Sequence, residues 1–229
     1  MFTPEQRAKL RSALLERAAS DPRITAAAIT GSAAINKEDR WSDIDLAFAI
    51  SSNVDEALTD WTTHLTNDHG AVHHLDMHFG LWTYRVFLLP GALQVDLAFV
   101  PAADFRALSP AFQIVFGTAN EPAPPQNPAP ATIIGFGWLY AIHARTSIAR
   151  GHSWQAQYMI NGLRDQWLIL ACLRHGLPTA HGRGYDLLPL AELERWQSTA
   201  LRDTIDAFLR EAAMADEALA ARLTAALTE

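Results

Sequence analysis

Ile29-Thr30-Gly31-Ser32, followed after a polar turn by Trp41-Ser42-Asp43-Ile44-Asp45-Leu46-Ala47, is the stretch on which the reading of this chain turns. An apolar strand leads into a Gly-Ser turn, and a second apolar strand then opens with two aspartates one residue apart. Side chains at i and i+2 of a strand share a face, so Asp43 and Asp45 are expected to point the same way. Like charges held that close repel one another unless a cation lies between them.

Working outward, 229 residues suffice for one large domain or two modest ones, each with its own core. The composition is ordinary for a globular protein, with 49% apolar and 19% charged residues. A formal net charge of −7 and the lack of a basic run disfavour a general nucleic-acid binder. The N-terminus lacks the apolar core of a signal peptide, and no apolar run reaches membrane-spanning length, so a cytoplasmic location with no membrane partner is expected. The single cysteine, Cys172, sits in Leu168-Ile169-Leu170-Ala171-Cys172-Leu173 and reads as a buried core thiol.

Thr3, Pro4 and Gln6 form a helix start with a capping-box partner, predicting a helix to about Ala19. Strands are expected over Ile24–Thr30 and Asp43–Ile50, with a hairpin-like or short helical connection between them. Ser51-Ser52-Asn53 caps a helix to roughly Asp68, with Ala57, Leu58, Trp61 and Leu65 on one face. His73–Phe79 alternates, and Thr83–Leu89 and Leu93–Val100 flank the turn signal Pro90-Gly91. A short edge strand is expected at Ile114–Phe116.

Asn120–Pro130 holds five prolines in eleven residues, a spacer that forms neither a helix nor a central strand. Helices are expected after it, over Ile133–Arg150, Trp154–His175, about Leu190–Trp196, and from Thr199 towards the C-terminus. The predicted fold is therefore an α/β N-terminal domain with a mixed twisted β-sheet and helices on one side (residues 1–119). A Pro-rich linker (120–131) and an all-α helical bundle domain (132–229) follow. Trp138, Tyr140, Trp154, Tyr158 and Trp167 are expected mostly in the packing core of that bundle.

Thr30-Gly31-Ser32-Ala33, Ser42-Asp43-Ile44-Asp45-Leu46 and Gln94-Val95-Asp96-Leu97-Ala98 together resemble the nucleotidyltransferase superfamily with a polymerase-β-like core. Its pattern is Gly-Ser, a short gap, Asp-x-Asp, and a third Asp on a later apolar strand. With the helical C-terminal half, the chain looks like the aminoglycoside and lincosamide nucleotidyltransferases, the small antibiotic-modifying members. The resemblance implies Asp43, Asp45 and Asp96 as catalytic residues and metal ligands for two Mg²⁺ ions. It implies Gly31 and Ser32 as phosphate contacts, with Lys37 and Arg40 as counter-charges or simply a solvated turn. Family members often carry an arginine directly after the small residues of the turn. Here none occurs before Arg40, which moves part of the triphosphate's counter-charge elsewhere, with Arg164 the first candidate.

The expected reaction moves a nucleoside monophosphate, most simply AMP from ATP, to a hydroxyl of a small polar or cationic acceptor, releasing pyrophosphate. Alternatives are an antitoxin-type enzyme acting on a partner protein and a non-catalytic nucleotide-binding regulator. Among other candidates, His74, Asp76 and His78 share a strand face that lines a substrate site or simply meets water, and are not expected to hold zinc. Asn161, Arg164 and Asp165 lie within about one turn of a helix, with Asp165 a candidate for an acceptor amine and a buried Arg–Asp brace as the other reading. His181-Gly182-Arg183-Gly184-Tyr185 reads as a basic loop that closes on substrate or merely joins two helices.

Overall fold

The computed structural model describes residues 2–124, 127–193 and 201–228. The chain divides into two compact units, Met1–Pro125 and Gln126–Glu229. The division falls inside the Pro-rich stretch. Its first residues belong to the N-terminal unit, since Asn120 N–H donates to Phe105 O and Ala123 N–H to Ala107 O. Its last residue, Pro130, opens a helix, where a missing N–H costs nothing.

In the N-terminal unit, β1 (Ile24–Thr30), β2 (Ile44–Ile50), β3 (His73–Phe79), β4 (Trp82–Leu89), β5 (Leu93–Pro101) and β6 (Phe112–Phe116) form one sheet of order β3-β4-β5-β2-β1-β6. Only β2 and β5 pair in parallel, so the sheet is mixed, as expected from the sequence. Helix α1 (Pro4–Ser20) begins with the Thr3–Gln6 capping box, both of whose hydrogen bonds are formed. The charged turn after β1 holds a short helix, α2 (Gly31–Ala34). Asn53 caps α3 (Val54–His69), accepting a bond from Asp55 N–H, and Gly70 ends it at φ 69°.

The strands' alternation divides the core in two. Ile44, Leu46, Phe48 and Ile50 of β2 and Val95, Leu97 and Phe99 of β5 pack with Leu14 of α1 and Trp61 and Leu65 of α3. The opposite face carries Ala26, Ala28, Ala47, Ala49, Ala98 and Val100, with Trp82 and Phe105 against them.

The C-terminal unit consists of α4 (Pro130–Ala149), α5 (Ser153–Arg174), α6 (Leu190–Leu193), α7 (Leu201–Ala215) and α8 (Glu217–Thr228). An α/β unit followed by a helical one is thus the fold. The predicted end at Trp196 and start at Thr199 lie outside the described residues. The Phe208 ring sits where a Cβ on Gly137 would stand, so α4 and α7 approach closely there. Arg174 and the buried Glu211 form a two-point ion pair between α5 and α7 at 2.8 and 2.9 Å, a geometry that fixes orientation as well as distance. Trp167 and Cys172 are buried in this core as expected, but the aromatic reading needs correction. Trp154 is 89% and Tyr158 67% exposed. They lie near the start of α5 on the helical phase opposite Ala156 and Ile160, which take the buried positions.

Candidate active site

Parallel pairing of β2 with β5 sets Asp45 directly beside Asp96. Both belong to the face away from α1 and α3, because their neighbours in sequence, Ile44, Leu46, Val95 and Leu97, fill the helix-side core. Asp43, two residues before Asp45, joins them from the end of the loop. One carboxylate oxygen from each of Asp43, Asp45 and Asp96 lies within 4.8 Å of the others. All three are partly buried.

Asp96 pays for this position electrostatically. Withdrawal from water is the main cause, and the neighbouring Asp43 charge adds to it. Together they push its carboxyl up to about 6, against a bond donated by Gln94 Nε2 at 3.0 Å that favours the ionised form. A partly desolvated carboxyl facing two others is a poor way to stabilise a fold and a good way to hold a cation. The donor set fits Mg²⁺, a hard ion that takes carboxylate oxygens and keeps several waters.

Gly31 has a role here beyond the one inferred from sequence. Its φ is +64°, and a Cβ there would stand 2.0 Å from Asp45 Oδ2 and 2.8 Å from Asp45 Cγ. The glycine therefore makes room for the Asp45 carboxylate itself, in addition to adopting a backbone angle that other residues resist. Ser32, the next residue, is half-buried, and its carbonyl accepts the Lys37 N–H at 2.9 Å, closing the turn.

The loop that delivers Asp43 is held from beneath by Arg7, which is 4% exposed. Its Nη1 donates to Asp39 O at 2.7 Å and to Ser42 O at 2.9 Å. Nε lies 3.2 Å from Glu38 Oε1, an ion-pair distance without hydrogen-bond alignment, and Arg11 grips the same Glu38 oxygen at 2.6 Å. The turn closes on itself as well, because Asp39 Oδ1 accepts from Trp41 N–H and from the Ser42 hydroxyl. Arg7 and Gln94 were not singled out in the sequence. A signal for Arg7 exists, since it lies seven and eleven residues before Leu14 and Ala18, on the buried stripe of α1. Gln94 shares the face of Asp96 by the i, i+2 rule.

The structure brings Asp43, Asp45, Asp96, Gly31 and Ser32 together. Arg40 lies on the exposed part of the loop with its guanidinium 4.2 Å from the centre of the Trp41 ring. It does not bring His74 and Asp76 to the aspartates. His74 pairs with Phe87 and Asp76 with Arg85, residues of the helix-side face. Asp76 is held by Arg85 through two bonds of 2.6 Å, which keep its carboxyl below the usual range. The same guanidinium reaches Leu58 O and Thr62 Oγ1 on α3. This is a brace between sheet and helix.

Arg164 and Asp165 belong to α5 of the helical unit. Arg164 donates to Asn161 Oδ1 at 2.8 Å, and burial raises the Asp165 carboxyl against the lowering influence of Arg164. The Tyr185 hydroxyl is 3.5 Å from the Asp165 carbonyl, and burial with the nearby Asp165 charge pushes that phenol up to about 12. Among the described residues, no helix is long and apolar enough to cross a membrane.

No family model matches the chain, and no curated protein does. Among solved structures it is similar to an aminoglycoside 6-adenyltransferase from Bacillus subtilis, at 14% identity over 96% of this chain and 92% of that one, with a TM-score of 0.37. The functional reading therefore rests on the three carboxylates and the residues that hold them.

Proposed function

We propose that this protein is a Mg²⁺-dependent nucleotidyltransferase that moves a nucleoside monophosphate, AMP from ATP in the simplest case, to a hydroxyl of a small polar or cationic acceptor. The observation that carries the proposal is the convergence of Asp43, Asp45 and Asp96 within 4.8 Å of one another on the face of the mixed sheet away from α1 and α3. Such a site suits in-line displacement at phosphorus, where positioning and charge neutralisation do most of the catalytic work. Asp43 and Asp45 would hold both Mg²⁺ ions, and Asp96 one of them. When bound, the metal supplies positive charge to the α-phosphate and the departing pyrophosphate.

The chain's own groups have distinct tasks in this proposal. Asp96 is proposed to accept the acceptor's hydroxyl proton as well as to hold one of the ions. Gly31, Ser32 and Arg40 are proposed as contacts of the triphosphate, and Arg164 as further counter-charge. Asp165 is proposed for a cationic group of the acceptor. His74 and Asp76 have no part in it, since their face of the sheet is the other one.

The test is pyrophosphate release by the purified full chain, with ATP, GTP, CTP and UTP against panels of aminoglycosides and lincosamides. Acceptor-dependent release is expected, and Asp45→Ala should lower it by several orders of magnitude. An Asp45→Ala protein as active as the wild type would refute the proposal.

A further inference from the structure

The two edges of the sheet differ in how they are protected. The β6 edge is five residues long, and its pairing with β1 is irregular between Ala27 and Ala28. The β3 edge is seven residues long, pairs with β4 in unbroken register, and has neither lysine nor proline. Those are the usual devices that prevent an edge from pairing with another chain. Six of its residues are exposed. Among them Leu75 (59%) and Phe79 (60%), with Met77 between them, form an apolar row. Leu81, in the turn that follows, is exposed as well.

What fits this edge follows from its own sequence. A two-fold axis perpendicular to the sheet sets β3 antiparallel to a second β3 and keeps each side chain on its original face. Each residue then meets one of the same parity. Centring the axis on Asp76 pairs the whole strand but puts Asp76 opposite the second copy's Asp76, which like-charge repulsion disfavours. Centring it on Leu75 sets polar His73 against Met77. Centring it on Met77 satisfies both faces. Leu75 then meets the second copy's Phe79, Met77 meets its own counterpart, and Asp76 meets His78 twice over.

His78 is suited to that pairing. Its Nδ1 is 3.2 Å from Thr83 Oγ1, and a hydroxyl donating there leaves the ring N–H on Nε2 as a donor for a carboxylate. Asp76, held by Arg85 on its own chain, would accept a further bond without moving.

We propose that two copies of this chain associate through their β3 edges, in antiparallel register centred on Met77, to make one continuous sheet. A contact of this size belongs to the small, concentration-dependent class of interfaces. Its geometry leaves the Asp45 and Asp96 faces of both copies on the same side of the joined sheet. The proposal concerns association and is independent of the reaction.

The full chain should be examined by sedimentation equilibrium over a wide concentration range, with Met77→Lys as the disrupting variant. A mass rising towards twice that of the chain in the wild type, and staying at one chain in Met77→Lys, is expected. Register is read by single cysteines. Under mild oxidation Met77→Cys should form a disulfide-linked dimer across the axis, because residues opposite one another in a ladder lie within disulfide reach. Leu75→Cys and Asp76→Cys should not. Native Cys172 is buried and does not interfere. A wild type that stays a single chain throughout, or cross-linking as efficient at Leu75→Cys or Asp76→Cys as at Met77→Cys, would overturn the proposal.

Discussion

Replacing Asp96 with asparagine should make the metal-free protein more stable at neutral pH while removing its proposed activity. The folded state holds the Asp96 carboxyl at about 6 rather than 3.8, so ionising it there costs on the order of 3 kcal/mol more than in the unfolded chain. The sign follows from which state binds the proton more tightly, and here it is the folded one. Below pH 4 the carboxyl is protonated in both states and costs nothing. Between about 4 and 6 the folded state retains its proton longer, so stability falls as pH rises, and above 6 the full penalty applies.

Asparagine is isosteric, can still accept from Gln94, and never ionises. In the presence of a chelator, Asp96→Asn should therefore match the wild type at pH 4 and exceed it by about 2–3 kcal/mol at pH 7.5. Hydrogen exchange of the β2 and β5 amides reports opening of the N-terminal unit separately from the helical one. Saturating Mg²⁺ or Mn²⁺ should then stabilise the wild type and leave Asp96→Asn nearly unchanged. A variant less stable than the wild type at pH 7.5 without metal, or a stability difference that does not vary with pH, would show that Asp96 is not held against its own charge.

Other perturbations have equally direct readouts. Gly31→Ala must place a Cβ on the Asp45 carboxylate and hold alanine at φ +64°. The backbone angle alone costs about 1–2 kcal/mol, and Mn²⁺ affinity measured by paramagnetic resonance should fall at least tenfold. Arg7→Met removes two charged donors from the Asp39 and Ser42 carbonyls, a loss of about 2–4 kcal/mol. Melting temperature should drop, and Arg7→Lys should recover part of the stability but not the two-carbonyl grip. Gln94→Leu deletes the donor to Asp96, so the carboxyl's midpoint, followed by carbon NMR, should move upward from about 6. Arg85→Met should loosen α3 from the sheet, seen as faster amide exchange in α3, without altering metal affinity, since its partners lie on the other face.

Much of this architecture is legible in the sequence, for identifiable reasons. Strand and helix positions followed from two periodicities and from strong local signals such as the Thr3–Gln6 box and the Asn53 cap. The carboxylates were legible because charge inside an apolar strand is costly and therefore conspicuous. What could not be read was which face of an edge strand looks where. His74, Asp76 and His78 were correctly set on one side of β3, but alternation alone does not say that this side continues the helix-packed face. That depends on the register with β4, which pairs Asp76 with Arg85. Trp154 and Tyr158 lie outside the packing core expected of them because Ala156 and Ile160 occupy the buried stripe of α5 instead.

The three carboxylates owe their positions to two different kinds of support. Asp45 and Asp96 are register partners on adjacent parallel strands, and neighbouring strands are about 4.8 Å apart by backbone hydrogen bonding alone. A pair of in-register aspartates on β2 and β5 is thereby presented at a separation the ladder dictates, with no side-chain contact needed to set it. Asp43 has no such guarantee. It precedes β2, and its place depends on a loop whose carbonyls at 39 and 42 are held by one buried guanidinium from the far side of the sheet. Arg7 reaches that loop with a cation that α1 has already drawn out of water, so its donors have every reason to remain on those carbonyls. The arrangement of the three carboxylates is therefore set by the ladder at two of them and braced at the third, and the brace is the residue through which changes in the helix-side core would be felt there.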